Sequence, residues 1–202
     1  MKVNIEKSFN VDQSPDVVWE FLINPNKIVV CVPGVTLKEK VNETTYKGSV
    51  SQKFGPVSAN YDGEITYEKI DKDSWEITLA GKGVDSKGKG SAEMTLEMVL
   101  KPDGSGTAVN VVMIVGVIGM LAQFGSRLIS DVSDHLFEKF VENFKTNLSG
   151  GEIDEKQKEI EGGEIAATVF KSLASTIKGM FKSLASAIKG LFKKDKSDLD
   201  GT

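Results

Sequence analysis

The sequence predicts an α+β fold in which one curved antiparallel sheet grips a long C-terminal helix. Two observations support this prediction. Apolar and polar residues alternate along successive segments between residues 35 and 115, and after Gly119 the apolar spacing changes to three or four residues. Alternation is typical of strands with one wet and one dry face, whereas the longer spacing is typical of an amphipathic helix. Because no second sheet is available, the long helix has to cover the dry face.

The chain begins with a strand and two short helices. Alternating apolar residues from Val3 to Phe9 indicate the first strand. A helix begins at Ser14, which is a good N-cap, and Pro15 suits the first helical position. This helix ends at Asn24, and a short second helix is expected over residues 25–30.

Six strands and the long helix follow. Each strand alternates up to a turn, which indicates an antiparallel meander. The alternating positions of these segments begin at Val35, Tyr46, Val57, Trp75, Ala92 and Thr107. The apolar face of the long helix, which ends near Leu148, consists of Leu121, Phe124, Leu128, Val132, Leu136, Phe140 and Phe144.

The dry face of the sheet combines small residues with flexible methionines. From residue types alone, both a cavity between sheet and helix and a filled core with small residues at bends remain open. The candidate lining of such a cavity is Phe54, Ala59, Tyr61, Gly63, Met94, Met98, Met113, Leu121 and Phe124. A large side chain at Ala59 or Gly63 is then expected to block the cavity while the domain still folds.

Length and composition indicate one globular domain with an appendage. The chain has 202 residues, of which 40% are hydrophobic. We predict a ligand-binding domain over residues 1–148, a flexible linker over 149–163, an amphipathic membrane-binding helix over 164–194 and a disordered terminus over 195–202. The sequence shows no signal peptide or integral membrane segment, and its single cysteine excludes an internal disulfide. These features fit a cytoplasmic protein.

The tail is a basic segment attached to an acidic body. Residues 1–148 carry 16 basic and 20 acidic groups, whereas residues 165–194 carry six lysines and no acid. Within the tail, FKSLASTIKGM (170–180) is repeated as FKSLASAIKGL (181–191). Eleven residues are close to three helical turns, so equivalent positions remain on one face.

The repeat predicts a membrane-surface helix with an apolar stripe and a basic flank. Its proposed membrane-binding residues are Phe170, Leu173, Ile177, Phe181, Leu184, Ile188, Phe192, Lys171, Lys178, Lys182 and Lys189. A partner-docking helix also explains the stripe, but it predicts mixed charges beside it. Nucleic acid is disfavoured because the segment lacks arginine. The expected partner is therefore a membrane surface with anionic lipids.

The sequence contains no recognisable set of catalytic residues. His135 lies near several acids on the long helix, and we interpret it as solvated helix surface rather than as a metal ligand. Cys31 is interpreted as a packed residue rather than a nucleophile. The glycine-rich segment 81–90 lies between strands and opens no helix, so a phosphate-binding loop is not expected.

Five segments of the predicted ligand-binding domain form recognisable motifs. They are Pro15-Asp-Val-Val-Trp-Glu-Phe-Leu22, Asn24-Pro25, Cys31-Val-Pro-Gly34, Phe54-Gly-Pro-Val57 and Gly119-Met-Leu-Ala-Gln-Phe-Gly-Ser-Arg-Leu-Ile129. These motifs resemble the CoxG family of carbon monoxide dehydrogenase subunits, which belongs to the START-like (SRPBCC) helix-grip superfamily, and the similarity covers about residues 1–148. The most specific of these are the Cys-x-Pro-Gly and Gly-x-Leu-Ala-Gln-x-Gly-Ser-Arg segments.

The resemblance implies a cavity for a hydrophobic ligand and a role beside a molybdenum hydroxylase such as carbon monoxide dehydrogenase. It also implies recruitment of that enzyme to the inner face of the cell membrane and handling of the quinone that accepts its electrons. We therefore expect a non-catalytic carrier and anchor, with no cofactor other than a bound quinone or lipid. The alternatives are a START-like lipid-binding or cyclase-type enzyme, which needs titratable groups in the cavity, and a docking adaptor with a filled core.

Overall fold

The computed structural model of the protein describes residues 1–54 and 57–151, with the backbone alone for Phe54 and Val57. The predicted tail helix and nearly all of the predicted linker lie outside these residues. The described strands are β1 (Lys2–Val11), β2 (Val35–Lys40), β3 (Thr45–Phe54), β4 (Val57–Asp71), β5 (Glu76–Asp85), β6 (Gly90–Asp103) and β7 (Gly106–Gly119). The helices are α1 (Pro15–Leu22), α2 (Pro25–Ile28) and α3 (Gly125–Leu148), and 3₁₀ turns occupy Val29–Cys31 and Met120–Phe124.

The seven strands form one antiparallel sheet in the order β1-β7-β6-β5-β4-β3-β2. Residues paired across neighbouring strands point to the same face, so the register defines an inward face that packs towards α3. Among the strands, α3 approaches β1 most closely. The α+β helix-grip prediction is therefore confirmed, including the order of its elements.

Two glycines determine where the long helix begins. Gly119 and Gly125 have φ angles of +91° and +80°, in the left-handed region that favours glycine. They flank the 3₁₀ turn Met120–Phe124, so α3 begins at Gly125 rather than directly after Gly119. The second short helix is likewise shorter than the predicted range of 25–30, because α2 ends at Ile28 and continues as a 3₁₀ turn.

Trp75 occupies a turn and not the strand position that its spacing predicts. Its φ angle is +57°, and β5 begins at the next residue. The indole ring meets Trp19 edge-on at 5.6 Å between centroids. The ammonium group of Lys72 lies 3.8 Å from the Trp75 ring centroid and pairs with Asp16 at 2.6 Å. These contacts stabilise a backbone conformation that a bulky residue rarely adopts.

The C-terminal half of α3 is fastened to the 3₁₀ turn after α2 and to the sheet. Phe144 is fully buried, and the amide of Asn143 donates to the carbonyl of Cys31 at 3.2 Å. The amide of Gln52 on β3 donates to the carbonyl of Pro33 at 2.6 Å. Cys31 and Pro33 belong to the Cys-x-Pro-Gly segment, so this motif has a structural role as the link between turn, sheet and helix.

Three glycines pair in register across the central strands. Gly48 is opposite Gly63, and Gly63 is opposite Gly83. A Cβ atom at Gly63 would lie 2.2 Å from the backbone oxygen of Lys82 and 2.7 Å from the Cα of Gly83. The backbones therefore approach too closely for a side chain to fit at this position without displacement of the strands. The expectation that a leucine at Gly63 would fill open space is wrong for this reason.

Gly81 is expected to tolerate a side chain where Gly63 does not. A Cβ atom at Gly81 would meet only the flexible side chain of Met94, at 3.1 Å, and the backbone oxygen of Glu64 at 3.9 Å. Gly63→Ala should lower the free energy of unfolding by about 2–3 kcal/mol, as overpacking against fixed atoms does. Gly81→Ala should stay within about 1 kcal/mol of the wild type. Urea unfolding of both variants measures the difference, and equal stabilities would contradict the close approach at Gly63.

Candidate ligand cleft

Burial varies along the inward face of the sheet. Ile77, Met98 and Val111 pair in register at the closed end, where each is at most 7% exposed. Further along β6 and β7, Met94 and Met113 are only half-buried, although Val117 near the end of β7 and Ile5 on β1 are buried. Met94 and Met113 lie on the face that packs towards α3, and both keep part of their apolar surface accessible. We call the region around these two residues the open half of the sheet.

Burial also differs between the two ends of the helix. Phe144 is fully buried at the C-terminal end of α3, whereas Leu128 near its N-terminal end and Leu121 and Phe124 of the preceding 3₁₀ turn are half-buried. The apolar residues accordingly form two clusters. The larger one surrounds Phe144, and a small one joins Ala59 to Leu121, Leu128 and neighbouring residues of α3. Met94 and Met113 belong to neither cluster. The space between these half-buried residues and the start of α3 is the candidate cleft.

Two contacts position α3 against the sheet on either side of this cleft. Lys7 on the inward face of β1 forms an ion pair of 2.8 Å with Asp134 of α3, which fixes the helix at the β1 edge of the sheet. At the opposite side, the small cluster of Ala59 and Tyr61 with α3 attaches the helix to the β3–β4 hairpin. Gly81, which pairs with Ile65 and Met94, contributes no side chain to the space between them.

The structure separates the nine predicted lining residues into groups. Ala59, Tyr61 and Leu121 meet in the small cluster, and Met94 and Met113 lie in the open half of the sheet. The remaining residues do not share one place: Met98 packs in the large cluster, Gly63 lies in the glycine row, Phe124 ends the 3₁₀ turn, and the side chain of Phe54 is outside the described part. The sequence-based set does not include Gly81, although Gly81 lies on the alternation of β5 and pairs with Met94. The role of the set in binding stays a prediction.

The titratable groups near the cleft are engaged or unsuited to catalysis. Tyr61 pairs in register with Asp85. Burial, followed by the nearby charge of Asp85, raises the pKa of the Tyr61 hydroxyl, so it stays protonated. The carboxylate of Asp85 accepts backbone N–H groups from Lys87 at 2.9 Å and Lys89 at 3.1 Å, and it thereby closes the β5–β6 turn. These residues support a structural role rather than acid–base chemistry.

A cavity of about 710 Å³ lies on the other face of the sheet. Of the predicted lining residues only Gly63 borders it, and its walls carry ion pairs such as Lys82 with Glu64 at 2.9 Å. This space is open to solvent and rimmed by ion pairs, so it is a surface groove rather than an enclosed site for a small hydrophobic molecule. The inner cleft is the stronger candidate for a ligand.

The environment predicted for Cys31 agrees with the structure, whereas the one predicted for His135 does not. The Nε2 atom of His135 is buried and has no hydrogen-bond partner among the described residues, so the prediction of a solvated position is wrong for this atom. Within that part of the chain, His135 belongs to no group of three or more metal-ligating side chains. Cys31 is fully buried, as its interpretation as a packed residue requires.

Burial raises the pKa of the Cys31 thiol to about 12. At pH 8 the folded protein should therefore react with iodoacetamide about a thousandfold more slowly than the unfolded chain, because only the thiolate attacks. The raised pKa also means that folding favours the protonated thiol. The free energy of unfolding should consequently fall as the pH rises above about 9. Alkylation followed by mass spectrometry, with and without urea, measures the first effect, and fast alkylation of the native protein would contradict it.

The comparisons with known proteins agree with this fold. A family model described as the CoxG subunit of carbon monoxide dehydrogenase matches residues 8–149. A conserved protein from Geobacillus kaustophilus is similar in structure, with a TM-score of 0.67 and 22% identity over 73% of this chain and 96% of that one. None of the curated proteins compared with the sequence matches it. No helix in residues 1–54 and 57–151 is both long and apolar enough to span a membrane.

Two further solved structures share the architecture at lower identity. The protein TTHA0849 from Thermus thermophilus has a TM-score of 0.54 and 12% identity, over 73% of this chain and 98% of that one. Ara h 8.0201 has a TM-score of 0.53 and 11% identity, over 75% of this chain and 100% of that one. Similarities at these identities establish a common fold and nothing about ligand or activity.

Proposed function

The chain belongs to the CoxG family of carbon monoxide dehydrogenase subunits, and from this membership we propose that it is a non-catalytic accessory protein of a molybdenum hydroxylase such as carbon monoxide dehydrogenase. In this proposal the cleft carries a hydrophobic small molecule, such as a quinone. The tail attaches the protein, and with it the enzyme, to the inner face of the cell membrane.

The ligand proposal depends on one observation, which is the incomplete burial of apolar side chains in the open half of the inward face. Met94 and Met113 on the inward face are half-buried, and so are Leu121 and Phe124 in the 3₁₀ turn before α3. A ligand with a flat ring and an aliphatic tail would cover this apolar surface, and burial of that area would drive its binding. Methionine side chains adapt to an irregular partner, so they suit a ring that enters and leaves.

The enzyme alternative receives less support from the same cleft. A cyclase or hydrolase needs titratable groups that project towards its substrate. Near the cleft, the titratable groups among the described residues include the protonated Tyr61, the turn-bound Asp85 and the ion-paired Lys7 and Asp134. A docking adaptor with a filled core is less favoured as well, because it predicts buried rather than half-buried side chains at Met94 and Met113.

Calorimetry with a short-chain quinone analogue tests the ligand proposal. We expect saturable binding with a negative heat-capacity change, since apolar surface is buried. Mass spectrometry of lipid extracted from the purified protein identifies the natural ligand class. Tryptophan quenching is a poor reporter, because Trp19 and Trp75 pack in the large cluster of the closed half. The absence of both saturable binding and co-purified lipid would favour the docking adaptor.

Membrane recruitment rests on the sequence of residues 164–194. This segment combines an apolar stripe with lysines and lacks acids after Glu164. Such a composition is typical of helices that lie in the interface of an anionic membrane. Attachment through the tail leaves the folded body free to bind the enzyme.

Deletion of residues 152–202 should release the hydroxylase from membranes without reducing its activity. Because docking is assigned to the body, co-purification of the enzyme with the truncated protein should persist. Membrane fractions should lose the enzyme, while its turnover with a soluble dye as electron acceptor stays unchanged. Fractionation of cells that carry the full-length or truncated protein measures both effects. Unchanged membrane association of the enzyme would contradict the anchor role.

A further inference from the structure

The outer face of the sheet carries an exposed apolar patch. Val112, Ile114 and Ile118 project outwards from β7 and are 38%, 47% and 68% exposed. Val84 on β5 is 59% exposed and lies in line with Ile118, since both pair with Ser91. Large β-branched side chains grouped on a solvent-facing surface are typical of a contact site.

Part of this patch forms one wall of a groove that crosses the sheet. The groove is the cavity of about 710 Å³ described above, and its lining includes Ile118, Val84 and the backbones of the glycine row. The lining extends from Lys2 on β1 to Lys38 on β2, so it spans the whole sheet. Six interstrand spacings correspond to a groove about 29 Å long.

Charges at the rim of the groove neutralise one another. Lys38 pairs with Asp62 at 2.6 Å, and Lys82 pairs with Glu64 at 2.9 Å. The floor of the groove consists of glycine backbone, which allows a close approach by another element. A suitable occupant is therefore a long, narrow apolar element that needs no specific counter-charge.

We propose that the apolar stripe of the tail, residues 170–192, docks in this outer groove when no membrane is present. As a helix this segment would be about 34 Å long, which matches the groove. In water the stripe would otherwise expose large apolar side chains at every turn, and docking covers both apolar surfaces at once. This inference rests on the proposed function, because the same stripe is assigned to the membrane.

The chain is long enough to bring the tail back to the groove. The turn before α3 adjoins it, since the backbone N–H of Met120 donates to the carbonyl of Lys89 at 3.1 Å. From there α3 runs for 24 residues, or about 36 Å. The linker 149–163 can span about 50 Å when extended, so it covers the return path. Tethering at this length gives an effective concentration on the order of millimolar, which favours docking within one chain.

Cross-linking of the full-length protein tests the docking. One cysteine replaces Ser91 in the groove and another replaces Ala174 or Ala187 beside the stripe, so either direction of the helix is covered. Cys31 stays in place because it is fully buried. A short bismaleimide should join the pair in buffer, and vesicles containing anionic lipid should suppress the reaction. The control pairs Glu138→Cys on the exposed side of α3 with the same tail positions, and equal cross-linking in the control would overturn the proposal.

Vesicle affinity provides the second measurement. Ile118→Asn and Val84→Asn weaken the groove and should raise the affinity of the full-length protein for anionic vesicles at least threefold, because the tail no longer has to leave the groove. Thr95→Asn, an exposed outward position beyond the groove, is the matched control and should change nothing. If the full-length protein binds vesicles normally but shows no cross-link, the docking is overturned and the proposed function is not. Groove-dependent cross-links between two chains would instead assign the groove to a second copy and overturn the proposal.

Discussion

Replacing Gly81 with leucine is expected to abolish saturable binding of a quinone analogue while the domain stays folded. Gly81 lies on the inward face between Ile65 and Met94, and its backbone is not in the left-handed region. The nearest atoms to a new Cβ belong to the Met94 side chain, which can rotate away. A leucine would then occupy the open half of the cleft. Its cost in stability should remain within about 1–3 kcal/mol, the usual range for an added core side chain.

Thr95→Leu is the matched control for this variant. Thr95 is the neighbour of Met94 along β6, but it is exposed on the outer face. The same apolar bulk is thus added one residue away without entering the cleft. Calorimetry of the wild type and both variants, with circular dichroism to verify folding, separates filling of the cleft from general effects. Wild-type affinity in a folded Gly81→Leu protein would show that the ligand binds elsewhere.

The fold was predictable because its signals are local. Alternation between residues 35 and 115 determines which side chains of β2 to β7 share a face, and a register error would have moved every apolar residue to the wet side. The start of α3 was misplaced by a few residues because the φ angles of Gly119 and Gly125 depend on how the chain reverses over the sheet. Trp75 was placed in a strand for a similar reason, since its contacts with Trp19 and Lys72 are not visible in the spacing.

The candidate site was predictable only in part. The dry face and the start of the helix could be named, but the division of that face into a closed and an open half could not. It depends on contacts between distant segments, such as the hydrogen bond from Asn143 to Cys31, which are 112 residues apart. Met98 was therefore grouped with Met94, although the two residues lie in different halves. The close approach of backbone at Gly63 was hidden as well, because glycine has the same appearance in sequence whether space is free or filled.

Introducing aspartate at both Phe181 and Leu184 in the full-length protein is expected to weaken binding to anionic vesicles at least thirtyfold. These residues lie in the middle of the predicted stripe. Each half-buried apolar side chain contributes about 1 kcal/mol to membrane partitioning. Losing two of them costs about 2 kcal/mol, which corresponds to roughly thirtyfold in affinity. The new carboxylates also face an anionic surface, so the true loss should be larger.

Lys182→Gln should have a smaller effect in the same assay. One lysine near an anionic leaflet contributes about 1 kcal/mol, or roughly fivefold in affinity. Its contribution should decrease at high salt, because salt screens the surface potential, whereas the contribution of the stripe should persist. Flotation with vesicles of anionic and neutral lipid, at low and high salt, distinguishes the two terms. The truncated protein (residues 1–151) gives the level of vesicle binding that does not depend on the tail. If Lys182→Gln weakens binding more than the double aspartate variant, or if truncation leaves binding unchanged, the tail does not act as an amphipathic anchor.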